Sequence, residues 1–108
     1  MKDLDIILET INNNIEKLDT LKLSFTQPRS EVLDSLSNEY YWLTEHRIKF
    51  NEAWMSVYFN SKATSSAAKE READMRVPEL YKIRHLMSST KLVIDSLRTS
   101  ISANKNNG

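Results

Sequence analysis

Residues able to do chemistry are few and scattered in this chain. His46, beside Glu45, and His85 form the one combination that suggests a metal site, and a metal would need all three side chains to converge. Each of them also reads as an ordinary position at the edge of an apolar stripe, so the expectation is no metal and no cofactor. Ser, Thr and Tyr are plentiful, but no nucleophile has a base at a recognisable spacing. Helical bundles poor in glycine seldom build oxyanion holes. The absence of Cys removes thiolate chemistry and disulfides together. These observations point to a protein that binds and does not catalyse.

Binding chemistry is better represented. Tyr40, Tyr41, Trp42, Phe50, Trp54, Tyr58 and Phe59 crowd into twenty residues. Tyr40, Phe50 and Trp54 keep the three-and-four spacing of a helix core. Tyr41, Trp42 and Phe59 fall away from it, where an aromatic ring completes a protein interface, stacks on a base, or packs against another helix. Arg47 occupies a stripe position, either as a paired structural charge or as part of a partner-binding groove. Lys69-Glu70-Arg71-Glu72 with Arg76 alternates in sign like a solvated helix face. Lys82, Arg84, Lys91 and Arg98 have fewer acidic neighbours, and Lys82, Lys91 and Arg98, along one flank of a helix, would track a phosphate backbone with a strong salt dependence.

The elements that must position these residues are helices. Leu4, Ile7, Ile11, Leu18, Leu21 and Phe25 recur at three and four over a segment of about 3–25, widened by Leu8 and Ile15 towards two neighbours. Asn14 interrupts the stripe, either solvated at its margin or fixing register between helices. Pro28 breaks the pattern and Ser30 offers a cap. A second helix, about 31–60, carries Leu33, Leu36, Tyr40, Leu43, Arg47, Phe50, Trp54 and Val57. The polar run 60–66 reads as a turn with Thr64, Ser65 or Ser66 as cap. A charged helix over 66–77 meets Pro78, which kinks it or opens a new helix. Leu80, Ile83, Met87, Thr90, Ile94, Leu97 and Ile101 mark a last helix at about 79–103, and 104–108 reads as a flexible polar tail.

The expected fold is therefore all-α: one domain over 1–103, an antiparallel helical hairpin with an additional N-terminal helix, three to four helices in all. Long helices of this kind span on the order of 40 Å, and a thin hairpin leaves apolar surface that self-association would cover, so a homo-oligomer is expected. One Gly, at Gly108, and two Pro exclude hairpin-rich β folds and Gly-rich nucleotide loops. Neither a signal peptide nor a membrane span is expected, which fits a reducing cytoplasm. Net charge is zero, yet residues 1–59 hold six Lys/Arg against ten Asp/Glu and residues 60–108 nine against five. The basic half suits nucleic acid, an acidic partner, or the first half itself.

The segment Phe50-Asn-Glu-Ala-Trp54, then Lys62-Ala-Thr-Ser-Ser-Ala-Ala-Lys-Glu-Arg-Glu-Ala73, Leu80-Tyr81 and Asp95-Ser-Leu-Arg98 resembles small helical proteins encoded among the replication and recombination genes of tailed phages. In overall plan the chain is also similar to the recombination-mediator proteins of large phages, oligomeric helical hairpins that bind single-stranded DNA and help load a recombinase. The resemblance covers a little over half of the chain, and the first helix and the zero net charge stand outside it. It implies a non-enzymatic accessory protein in the cytoplasm of a bacterial host, binding single-stranded DNA or a DNA-bound protein, with Lys62, Lys69, Arg71 and Arg98 at its basic positions. Lys82, Lys91, Tyr41, Trp42 and Phe59 complete the candidate surface. A small inhibitor docking on a host defence nuclease, or a coiled-coil assembly adaptor, is the alternative from another class.

Overall fold

In the computed structural model, which describes residues 2–21 and 25–107, the chain forms four helices and, among the described residues, no strand. They are α1 Leu4–Thr20, α2 Thr26–Asn60, α3 Ser66–Arg76 and α4 Pro78–Asn107. The molecule is elongated, 61 × 24 × 18 Å, because α2 and α4 are far longer than the two helices that flank them. Arg29 reaches Ser100 at 2.9 Å, while Arg84 reaches Asn51 at 3.4 Å. The start of α2 thus lies beside the end of α4, and its later turns beside the beginning of α4.

One core holds three of the helices together. Ile7 and Ile11 of α1, Val32, Leu36 and Leu43 of α2, and Ile83, Met87, Ile94 and Leu97 of α4 are buried in a single cluster. Burying side chains of this size contributes roughly 1.5–3 kcal/mol each. α1 lies along the first half of α2 only: Lys2 meets Glu39 and Asn14 meets Ser35. The second half of α2, from Thr44 onward, contains no fully buried residue and is accompanied by α4 and the short α3.

The differences from the sequence expectation lie at the helix ends and on the stripes. Helix α1 stops at Thr20, where Leu21 turns extended and donates to Leu18 O at 3.2 Å; its expected continuation over 22–24 lies outside the described residues, and Phe25 is exposed. Helix α2 starts at Thr26, so Pro28 sits in its first turn, where its missing amide costs no helical hydrogen bond. Ser30 is therefore inside the helix and not its cap. Pro78 opens α4 directly after Val77 ends α3 in a non-helical conformation, separating two helices and not kinking one. The backbone of 104–107 continues α4 where a polar tail was expected.

On the stripes, Arg47 is exposed, because α1 does not extend far enough to cover it and its long side chain reaches water. Ile15 also remains exposed, whereas Leu8 packs beside Ile83 and Leu86 of α4. Asn14 is buried and donates to both Thr10 O and Ser35 Oγ at 2.9 Å, so the interruption in the first stripe bridges α1 to α2.

Glu39 is the feature the sequence concealed. It is 2% exposed within the core layer of α2, paired through Oε1 with Lys2, and its Oε2 has no partner among the described residues. The carbonyl of Lys2 accepts from His46 Nε2 at 2.6 Å, which requires the proton on that nitrogen and fixes the ring as a clasp at the entry to α1. Replacing Lys2 by Met leaves the Glu39 charge buried alone and is expected to cost about 2 kcal/mol, between the limits for exposed and buried pairs. The double change Lys2→Met, Glu39→Leu should recover most of that loss. Urea unfolding of both variants checks it, and a double variant as unstable as the single one would contradict the assignment.

Candidate nucleic-acid and partner interface

The tip where α2 gives way to α3 is built from aromatic rings clipped by acidic side chains. Trp54 and Tyr58, one helical turn apart, stack with ring centroids 5.5 Å apart and planes 13° from parallel. Phe59 meets Tyr58 edge-on at 5.2 Å and stays 70% exposed. The Trp54 indole donates to Asp74 Oδ1 at 2.8 Å, and the Ser61 hydroxyl donates to Glu72. Glu72 also pairs with Arg76 at 3.4 Å. Ser65 caps α3 by accepting from the Ala68 amide at 3.1 Å. These contacts hold α3 against α2 and occupy two of the three carboxylates of α3.

The cations of the tip have no such employment. Lys69 lies with Nζ 5.9 Å from the Tyr58 ring centroid, a cation over an aromatic face. Lys62 is exposed in the turn just after Phe59. Neither forms an ion pair among the described residues, so Phe59, Lys62 and Lys69 leave an exposed ring and two available positive charges at one end of the molecule. Arg71 is exposed but points elsewhere, since two residues turn about 200° around a helix.

A second basic surface runs along the shaft. Lys91 and Arg98 line an open groove between α4 and α2 with Ser37, Tyr40, Ile94 and Asp95. Further along, Arg84 of α4 and Arg47 of α2 line its continuation with Ile48, Asn51 and Glu52. Among the described residues none of these four cations has an ion-pair partner. Lys82 is not part of the row: it lies half a helical turn away from Lys91 and borders the cleft between α4 and α1 with Leu4 and Leu8. The expected common flank of Lys82, Lys91 and Arg98 is thus corrected to Arg84, Lys91 and Arg98.

The off-stripe aromatics separate likewise. Tyr41 is exposed, whereas Trp42, which it meets edge-on at 5.3 Å, packs against the core. His46 is held by Lys2 and by stacking on Phe50, and His85 is exposed on α4. Among the described residues no three His, Cys, Asp or Glu side chains gather closely enough to hold a metal, and no helix is long and apolar enough to cross a membrane.

No family model matches this chain, and no curated protein or solved structure matches it. The geometry therefore carries the functional reading.

Sequence reasoning counted Arg84 among the later cations but left it off their common flank, and it missed Glu39 altogether. The seven-residue spacing of Arg84, Lys91 and Arg98 was the available signal for the first, and the placement of Glu39 between Leu36 and Leu43 for the second. Replacing Trp54 by Leu keeps an apolar group but removes the indole donor and the ring stack. The expected loss is about 1–2 kcal/mol, concentrated on the docking of α3. Hydrogen exchange should show the α3 amides losing protection while those of α1 keep theirs.

Proposed function

We propose that this protein is a non-enzymatic accessory factor of phage DNA recombination or replication, working as an oligomer in the host cytoplasm and contacting single-stranded DNA. In this reading α2 and α4 form the antiparallel hairpin of the recombination-mediator plan, and the tip of α2 is its DNA-contacting end. The supporting observation is the exposed Phe59 ring at the same tip as Lys62 and Lys69, where two of the three acids of α3, Glu72 and Asp74, are engaged in holding that helix and Glu70 alone remains exposed. An exposed ring stacks on an unpaired base, and each base stacked contributes roughly 1–3 kcal/mol. The two amines meet flanking phosphates and release counterions as they do so. A zero net charge is compatible with this because the second half of the sequence, which holds Lys62 and Lys69, carries nine Lys/Arg against five Asp/Glu.

Fluorescence anisotropy with a single-stranded oligonucleotide at two salt concentrations tests the proposal. Wild type should bind, more weakly at the higher salt. Phe59→Ala should weaken binding about tenfold, the loss of a stacked base. Lys62→Ala with Lys69→Ala should lower the slope of log affinity against log salt by about 1.4, for two phosphate contacts on a single strand. No binding at low salt rejects direct DNA contact, and capture of a recombinase or single-strand-binding protein in its place would move the partner from DNA to the protein coating it.

A further inference from the structure

Helices α1 and α4 both pack along α2, yet among the described residues their backbones hardly approach one another. On the side opposite α2 they leave a seam with apolar walls. At one end Leu4 and Leu8 of α1 stand with Ile83 and Leu86 of α4, with Glu79 and Lys82 at the rim. At the other end Leu18 stands with Leu92, Val93 and Leu97, beside Arg29 and Ser96. The two helices therefore run in the same direction, and Ile15, 37% exposed, falls between the ends. Leu92 is 72% exposed, and Leu4, Leu18, Leu86 and Val93 are only partly buried against the core. The banks of the seam differ in charge. On α1, Asp5, Asn12 and Asp19 recur every seven residues, exposed, on the side next to Leu8 and Ile15. On α4, Lys82, Ser89 and Ser96 recur every seven residues, also exposed, on the side next to Leu86 and Val93. Asp5 stands level with Lys82, because Leu4 and Lys82 line the same end, but among the described residues neither forms an ion pair.

We infer that two copies of this chain close their seams on each other about a two-fold axis parallel to the helices, so that α1 of each copy lies on α4 of the other. The contact is isologous: one patch on each copy meets the same patch on its neighbour. Such an axis changes no level along the helices. Asp5 of one copy therefore meets Lys82 of the other, Asn12 meets Ser89, and Ile15, Leu92 and Val93 are enclosed between the four helices. The occupant is a second copy because the seam itself carries the apolar floor and both of the complementary banks. The other possible two-fold, running across the helices, would lay α1 on α1 and bring Asp5 of one copy against Asp19 of the other, a like-charge arrangement that works against association. With the axis along the helices, the aromatic and basic tips of both copies emerge at the same end of the pair, where one strand can engage two of them. This inference rests on the oligomer of the preceding reading and is independent of DNA contact at the tip.

Sedimentation equilibrium over a range of concentrations tests it on five samples: wild type, Ile15→Lys, Asp5→Lys, Lys82→Glu, and an equimolar mixture of the last two. Circular dichroism checks that each variant keeps its helix content. Wild type should dimerise, and Ile15→Lys, which puts a charge into the apolar middle of the seam, should be monomeric. Each bank reversal alone should weaken the dimer about tenfold or more, because it sets like charges together at two places in the pair. The mixture should regain the wild-type affinity, since in a mixed pair the two altered banks meet each other and so do the two unaltered ones. An attraction of Asp5 for Lys82 confined to one molecule would not be repaired by mixing, so a mixture no stronger than its components overturns the pairing. A wild-type oligomer indifferent to Ile15→Lys overturns the seam contact while leaving the oligomer reading in place. A wild type that stays monomeric at every concentration overturns both.

Discussion

The structure depends on a mismatch in length. Helices α2 and α4 are 35 and 30 residues long, whereas α1 has 17 and α3 has 11. A pair of helices can exclude water only from the strip where they touch, and a third helix is needed to close a core around it. Here α1 closes it over the first half of α2, where Leu36, Leu43, Ile7 and Ile11 are fully buried. Beyond the reach of α1 the long pair has only α3 beside it, and the side chains of α2 there remain partly wet. The exposed arginine at 47 and the aromatic tip follow from where that third helix ends.

The same mismatch explains what the sequence made legible. Apolar periodicity is a property of one helix at a time, and it marked three of the four helices and most of their buried positions, including Thr90 on the last stripe, while the short charged helix was legible from its cap and composition. It did not distinguish which stretch of a stripe would have a neighbour. Arg47 continues the pattern of Leu36 and Leu43 faultlessly, yet lies past the end of the covering helix. Glu39 fails the pattern chemically but is buried, because its ionic partner, Lys2, comes from outside any apolar stripe. Pro28 reads as an interruption and Pro78 as a kink or the opening of a new helix, and the structure uses both in first turns, where an absent amide is harmless.

Of the candidate surface, the sequence supplied the chemical types but not their grouping. Phe59, Lys62 and Lys69 come together at the tip, while Lys91 and Arg98 lie on the shaft, on the order of 30 Å away along α2. Lys82 and Trp42 are drawn to other sides of the molecule by the rotation of their helices. Two or three residues of sequence separation decide this, since each residue turns the helix by about 100°, and counting cations without that rotation merges faces that never meet. Overall neutrality conceals an uneven division: the first half of the sequence is acidic and the second basic, and α2 and α4 bring the two side by side.

The joint between α3 and α4 consists of Val77 alone, and Val77 is nearly fully buried. The chain contains no glycine before Gly108, so nothing at this joint relaxes the usual limits on backbone angles. The seating of α3 and the packing of α4 along α2 must therefore agree at this one residue. A rearrangement of the small helix would have to be absorbed at Val77 and the first turn of α4, because Met87, Ile94 and Leu97 pin the later turns in the core and Arg29 holds Ser100 near its end; the joint works as a universal coupling with one shaft clamped.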